Sequence, residues 1–185
     1  MSFSMIDATK IHDHSDEIVD QILDGVSPEN VRTEGVKKVL SDFNPLEVDL
    51  KLAILYYLYT EMGKSVTPAA PDATDTDLTN AFFDEFNTLP KGDAQLDAMR
   101  ALVRGDDCSL SRTYGTFTEN NKLVTWYFLA VRMGDDVIGI PEDYQLSEAG
   151  KSSLDAVKQL DFEQQFTFLR DVAACMGKDT IEHVV

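Results

Sequence analysis

The sequence of 185 residues has few cysteines, only short apolar runs and no recognisable secretory leader. Its two cysteines, Cys108 and Cys175, form neither a disulfide framework nor a CxxC site, which indicates thiols in a reducing cytosol. The apolar run from Leu52 to Tyr59 is far shorter than the ~20 residues that a membrane span requires. The segment from Met1 to Asp7 lacks the basic and apolar regions of a signal peptide. We therefore expect a cytoplasmic protein that does not insert into a membrane.

Basic residues are also scarce, because 16 lysines and arginines stand against 33 aspartates and glutamates. Phosphate contacts need Lys and Arg, so a net charge of -17 excludes recognition of nucleic acid or anionic lipid by charge. An acidic surface of this kind is typical of a soluble domain.

Catalytic motifs are missing as well. The sequence contains no HExxH, no GxSxG and no glycine-rich dinucleotide turn. Two Gly-Lys-Ser triplets, at Gly63 and Gly150, lack both the first glycine of a phosphate loop and a preceding strand. His12 and His14 stand on a polar arm without further ligands, so a solvated segment is favoured over a metal site. We expect a protein that is not an enzyme.

The stretch from Leu46 to Lys64 is the most apolar part of the chain, and its composition favours a helix over a buried strand. The predicted helix begins after Pro45 and ends at Gly63, a typical C-cap. A helix that is apolar on all sides must be covered on more than one of them. Helical spacing places one set of residues on a common face: Leu52, Tyr56, Tyr59 and Gly63.

Further helices are predicted from apolar periodicity and capping residues on both sides of this stretch. They cover residues 76–89, 95–103, 120–133, 147–160 and 162–176. Two more begin near Ser15 and Ser27. The second of these leads into an apolar stripe made of Val31, Val36, Val39 and Leu40. No long β-type alternation occurs. The prediction is an all-α bundle in one domain, with residues 1–45 as an N-terminal helical arm and first helices and residues 46–185 as the remainder.

The aromatic residues with polar groups gather on two of these helices. Tyr56 and Tyr59 lie on one, Trp126 and Tyr127 on the other, and Tyr144 in a proline-containing loop. Taken alone, such stripes are usually core packing in which each polar group finds a partner. The alternative is an apolar tunnel for a long ligand, because a helix of ~17 residues is about 25 Å long and matches an extended polyene.

Three blocks of sequence resemble the N-terminal, carotenoid-binding domain of the cyanobacterial orange carotenoid protein. The stand-alone relatives of that domain, the helical carotenoid proteins, are the most similar in organisation. The blocks are LAILYYLYTEMGK at 52–64 with AAP at 69–71, SRTY at 111–114 through NNKLVTWY at 120–127, and IPEDYQLS at 140–147 with QQFTFLR at 164–170 and MG at 176–177.

The resemblance implies an all-helical domain of two interleaved bundles around a carotenoid tunnel. It implies a keto-carotenoid as cofactor, such as canthaxanthin or echinenone. The residues that match the family's pigment contacts come from several helices and one loop: Leu52, Tyr56, Tyr59, Met99, Leu123, Trp126, Tyr127, Met133, Ile140, Pro141, Tyr144, Phe166, Arg170 and Ala173.

Arg170 is the one charge on the helical face that carries Phe166 and Ala173. We expect it at the tunnel mouth with its guanidinium toward water. The alternative is an ion pair with a carboxylate such as Asp49.

The sequence also departs from the family pattern. Tyr56 stands where photoactive members carry tryptophan, and the arm before Leu46 is longer. The chain ends near the end of the domain, so the family's C-terminal light-sensing domain and its light switch are expected to be absent.

The resemblance implies a photoprotective protein that quenches singlet oxygen and excitation energy through its pigment. Two alternatives stay open. One is a direct quencher of the phycobilisome antenna, associated with phycobilisomes or thylakoids and docking through Arg170. The other is a carrier that exchanges carotenoid with homologues of the C-terminal domain.

Overall fold

The computed structural model describes residues 33–62, 76–132 and 145–178. Within these ranges the chain forms eight helices and no strand, which confirms the prediction of an all-α protein. The helices are α1 (Glu34–Phe43), α2 (Val48–Met62), α3 (Thr76–Thr88), α4 (Asp93–Arg104), α5 (Ser109–Gly115), α6 (Glu119–Arg132), α7 (Glu148–Lys158) and α8 (Phe162–Ala174). No helix in these parts of the chain is long and apolar enough to cross a bilayer.

Side-chain caps fix the starts of three helices, since each satisfies a backbone N–H that the helix leaves without a partner. Ser147 accepts from the Gly150 N–H, and Asp161 accepts from the Gln164 N–H. Thr33 accepts from the Val36 N–H, so the helix that carries Val36 and Val39 begins at Glu34. The predicted start at Ser27 lies outside the described residues.

The helix α2 is central, as its apolar character on all sides requires. It packs against α4, α6 and α7, and Leu52, Ile54 and Leu58 are almost completely buried. α7 comes close to α2 at Gly150, where an added Cβ would lie 2.6 Å from the Leu50 Cδ1. The Gly150 triplet is therefore part of a packed helix.

The helix α8 lies against α6, α1 and α7. Phe43 of α1 meets Phe168 of α8 edge to face, with ring centroids 5.3 Å apart. Because Val36 and Val39 are buried on the same side, α1 shares its core with α7 and α8.

A second group of helices consists of α3, α4 and α5. Sequence periodicity assigned no helix to α5, which is only seven residues long. The segment after α8 is tied to this group, because the Gly177 N–H donates to the Leu102 carbonyl and the Lys178 N–H donates to that of Ser111. Gly177 has a φ of +82°, which only glycine adopts without strain.

Candidate functional site

The predicted site residues of the described helices fall on α2, α4, α6 and α8, with α6 packed between α2 and α8. Six of them are buried in the core: Leu52, Tyr59, Met99, Leu123, Trp126 and Ala173. Four are half-buried: Tyr56, Tyr127, Phe166 and Arg170. The remaining four, Met133, Ile140, Pro141 and Tyr144, lie outside the described residues.

Tyr59 joins α2 to α6. Its hydroxyl donates to the Leu123 carbonyl at 3.3 Å, and its ring meets that of Tyr127 edge to face at 6.4 Å. Burial disfavours the charged phenolate and therefore raises the pKa of Tyr59. The structure thus brings Tyr59 together with Leu123, which is 64 positions away in sequence, and with Tyr127 of the same helix.

Tyr56 of α2 and Met99 of α4 differ in how deeply they are buried. Tyr56 is half-buried and stacks edge to face on its neighbour Tyr57, at 5.4 Å between centroids. Met99 is fully buried on α4, which packs against α2. Met99 therefore belongs to the buried core, whereas Tyr56 keeps part of its surface open.

Trp126 is the only tryptophan of the chain and is 1% exposed. Its indole N–H has no hydrogen-bond partner in the described part of the molecule. A buried donor without an acceptor costs about 1–3 kcal/mol. An energetic cost of this kind, retained at a predicted site residue, points to a role beyond filling the core.

Tyr114 of α5 lies against the end of α8, although periodicity did not single it out. It is fully buried, and its hydroxyl donates to the Ala173 carbonyl at 2.7 Å. Burial raises the pKa of Tyr114 well above its ordinary value, as does the nearby Tyr59, whereas the nearby Trp126 indole N–H lowers it in part.

Arg170 is largely covered, since its side chain is only 16% exposed. Its Nε lies 3.7 Å from the Glu119 Oε2, which makes an ion pair but is too long for a hydrogen bond, and this Nε is a buried donor without an acceptor. Arg170 therefore pairs with a carboxylate, as the alternative expected, but the partner is Glu119 and not Asp49. Arg100 holds both Asp49 carboxylate oxygens, at 2.6 and 2.8 Å.

The site is therefore an aromatic and aliphatic wall with two unpartnered donors, Trp126 and Arg170. Such a surface suits an elongated apolar ligand that carries an oxygen acceptor. Within the described residues, no group of three or more His, Cys, Asp or Glu could hold a metal ion.

The chain matches a family of known proteins over most of its length. Residues 29–179 match the family described as "Orange carotenoid protein, N-terminal". An orange carotenoid-binding domain-containing protein of Nostoc sp. is 39% identical over 149 residues, which is 80% of this chain and 86% of the relative.

A longer relative and one solved structure extend the comparison. The orange carotenoid-binding protein of Limnospira maxima is 32% identical over 84% of this chain, which spans about half (49%) of that protein's length. The solved structure is that of the Red Carotenoid Protein of Anabaena (Nostoc) sp., which binds canthaxanthin. It superposes with a TM-score of 0.67 at 32% identity, over 78% of this chain and 99% of that one.

Proposed function

The chain belongs to the family of orange carotenoid protein N-terminal domains, and we propose that it binds a keto-carotenoid at the wall formed by α2, α6 and α8. The observation that carries the proposal is the family match over residues 29–179, which includes every predicted site residue. A solved relative binds canthaxanthin, a pigment of this class. The family is one of pigment-binding proteins and not of enzymes, in agreement with the absence of a catalytic motif from the sequence.

The residues of the site fit such a ligand. A polyene presents a long apolar surface, which Leu52, Leu123 and the ring of Tyr59 match. A keto oxygen accepts hydrogen bonds, and Trp126 and Arg170 each retain a buried donor that lacks an acceptor among the described residues. The ligand therefore supplies both the apolar area and the acceptor that the wall leaves unmatched.

The pigment supplies the energy levels that accept excitation from singlet oxygen or from an excited chromophore. The side chains of this chain bind the pigment, exclude water and fix its geometry. No proton or electron has to move through a side chain. We therefore infer a photoprotective role, exerted from the cytoplasm, in which the protein keeps the carotenoid dispersed and correctly held.

The test is to express the full chain in a canthaxanthin-producing host and to purify it. We expect coloured protein whose pigment co-elutes with the folded chain and shortens the lifetime of photosensitised singlet oxygen. Protein that is folded by circular dichroism but colourless would overturn the proposal.

Docking on a phycobilisome through Arg170 has weaker support. Its guanidinium is mostly covered and paired with Glu119, and the chain carries a net charge of -17. Antenna fluorescence with and without the pigment-loaded protein tests this role, with Arg170→Leu as the variant. Equal quenching by wild type and variant would exclude Arg170 as the docking residue. Transfer of pigment to a C-terminal-domain homologue is a separate assay and tests the carrier role.

A further inference from the structure

Lys122 of α6 is a basic residue in the interior of the protein. It is only 6% exposed. An ammonium group is costly to remove from water unless other groups replace its hydration. The neighbours of Lys122 in the fold must therefore stabilise it.

Two neighbours of the Lys122 Nζ do so. The Nζ donates to the Ala174 carbonyl at 3.1 Å and lies 5.3 Å from the centroid of the Tyr114 ring, whose face attracts a cation. Ala174 is the last residue of α8. The final carbonyls of a helix have no partners within it and form the negative end of its dipole. Lys122 therefore links the first turns of α6 to the end of α8.

This link lies one helical turn from each of the two unpartnered donors of the wall. Trp126 follows Lys122 by four residues on α6, so the two share a face of that helix. Arg170 precedes Ala174 by four residues on α8. Lys122 thus joins the two helices that carry the Trp126 and Arg170 donors.

A second contact joins the same helices but is weaker. Arg170 pairs with Glu119 of α6 at 3.7 Å, and the Glu119 side chain is 57% exposed. An ion pair with an exposed carboxylate contributes little to stability. The bond from the buried Lys122 is shorter and charge-assisted, so it is the contact that fixes the end of α8 against α6.

We propose that Lys122 is a positioning residue of the carotenoid site, which fixes the separation between the Trp126 donor on α6 and the Arg170 donor on α8. Donors on two helices serve one ligand only if the helices hold them at a set distance. The effect on bound pigment rests on the function proposed above. The link between the helices does not, because it needs no pigment.

The test is Lys122→Met, because methionine keeps an unbranched side chain and removes the ammonium group. In the pigment-free variant we expect the backbone amides in the last turn of α8 to exchange with solvent about tenfold faster, as the loss of one charge-assisted hydrogen bond predicts. In the pigment-loaded variant we expect a displaced visible absorption band, because the two donors no longer keep their separation.

A matched control is Asp161→Ala at the other end of α8. The Asp161 Oδ1 accepts from the Gln164 N–H at 2.9 Å, so this variant weakens the start of α8 and keeps the link to α6. We expect its absorption band to equal that of the wild type. An unchanged band in folded Lys122→Met, or an equal displacement in both variants, would overturn the proposal. A colourless wild type with faster α8 exchange in Lys122→Met would instead overturn the carotenoid function and leave the link between the helices standing.

A measurement on the unmodified chain covers the case in which the variant does not fold. In nuclear magnetic resonance spectra the Lys122 ammonium protons should exchange slowly, because they are buried and hydrogen-bonded. The Lys122 Cε protons should be shifted upfield by the Tyr114 ring. Rapid exchange together with an unshifted side chain would show that Lys122 does not link the two helices.

Discussion

Two aromatic groups lie in this protein, and they differ in what the rings carry. The phenylalanine cluster joins α3 to the segment after α5, with the Phe82 centroid 5.2 Å from that of Phe83, 6.2 Å from that of Phe86 and 6.0 Å from that of Phe117. The tyrosine–tryptophan wall contains Tyr59 and Trp126, which are both buried. The cluster buries only carbon, whereas the wall also buries a hydroxyl and an indole N–H.

The comparison teaches where to look for function among buried aromatic residues. Burial of rings without polar atoms stabilises the fold in proportion to the apolar area removed from water. Stability alone therefore explains the phenylalanine cluster. A buried donor lowers stability unless it has an acceptor, so Trp126 is not explained in this way. Four substitutions or titrations can break or sharpen this distinction.

Phe82→Ala should have the largest effect on stability. Phe82 is completely buried among three other phenylalanine rings, so its loss leaves a cavity and should cost about 3–5 kcal/mol of unfolding free energy. Denaturant titration measures the loss. The Phe82 ring also lies 6.4 Å from that of Tyr114, so the absorption band of the bound pigment shows whether the cluster shapes the site. A displaced band would break the distinction between the two groups.

Alkaline titration should act on the buried phenols and not on the phenylalanine rings, since only phenols ionise. Burial raises the folded-state pKa of Tyr59 and Tyr114, while unfolded tyrosine ionises near pH ~10. Their contribution to stability is thus fully present below about pH 10 and falls as the pH rises further, by about 2.7 kcal/mol per pH unit for the two together.

Phenolate absorbance followed with circular dichroism checks this expectation. Two of the six tyrosines should ionise only as the helices unfold. Ionisation of all six before any loss of helix would contradict the assigned burial.

Trp126→Phe should lower stability by a smaller amount, about 1–2 kcal/mol, because a ring of reduced size replaces an indole whose N–H has no partner. The visible spectrum of the pigment-loaded Trp126→Phe variant should nevertheless shift. Phe86→Leu serves as the matched variant, because Phe86 is fully buried and its ring meets those of Phe82 and Phe83. We expect a comparable loss of stability and no spectral shift. Equal spectra for wild type and Trp126→Phe would place Trp126 in the ordinary core.

Asp49→Asn should have the smallest effect on the free energy of unfolding, under about 1 kcal/mol. The Asp49 side chain, which forms an ion pair with Arg100, is 64% exposed. Arg100 lowers the pKa of Asp49 in the folded protein. The ion pair therefore stabilises the fold fully at a pH above the pKa of unfolded aspartate, and this contribution is lost as the pH falls through the folded-state pKa. Thermal unfolding at low and high salt measures it, with Asp42→Asn, from the pair with Lys38, as a surface control. A loss above 2 kcal/mol, in the range of a core substitution, would contradict this assignment.

The sequence by itself determined the long helices and the two apolar stripes. α2, α3 and α6 lie where periodicity and caps predicted them, because residues three and four apart must share a face in any helix of several turns. The same spacing placed Leu52 with Tyr59, and Leu123 with Trp126, before any packing was known. The all-α architecture follows from the absence of β-type alternation.

Only the tertiary structure decided which polar groups meet. α5 has seven residues, too few for a periodic signal, and the partner of its Tyr114 is a backbone carbonyl 59 positions away. The ion-pair partner of Arg170 could not be read from the sequence either. Asp49 was the partner suggested there, but α8 packs on α6, which places Arg170 next to Glu119. Local sequence fixes the face on which a side chain lies, but the distance between two helices fixes its partner.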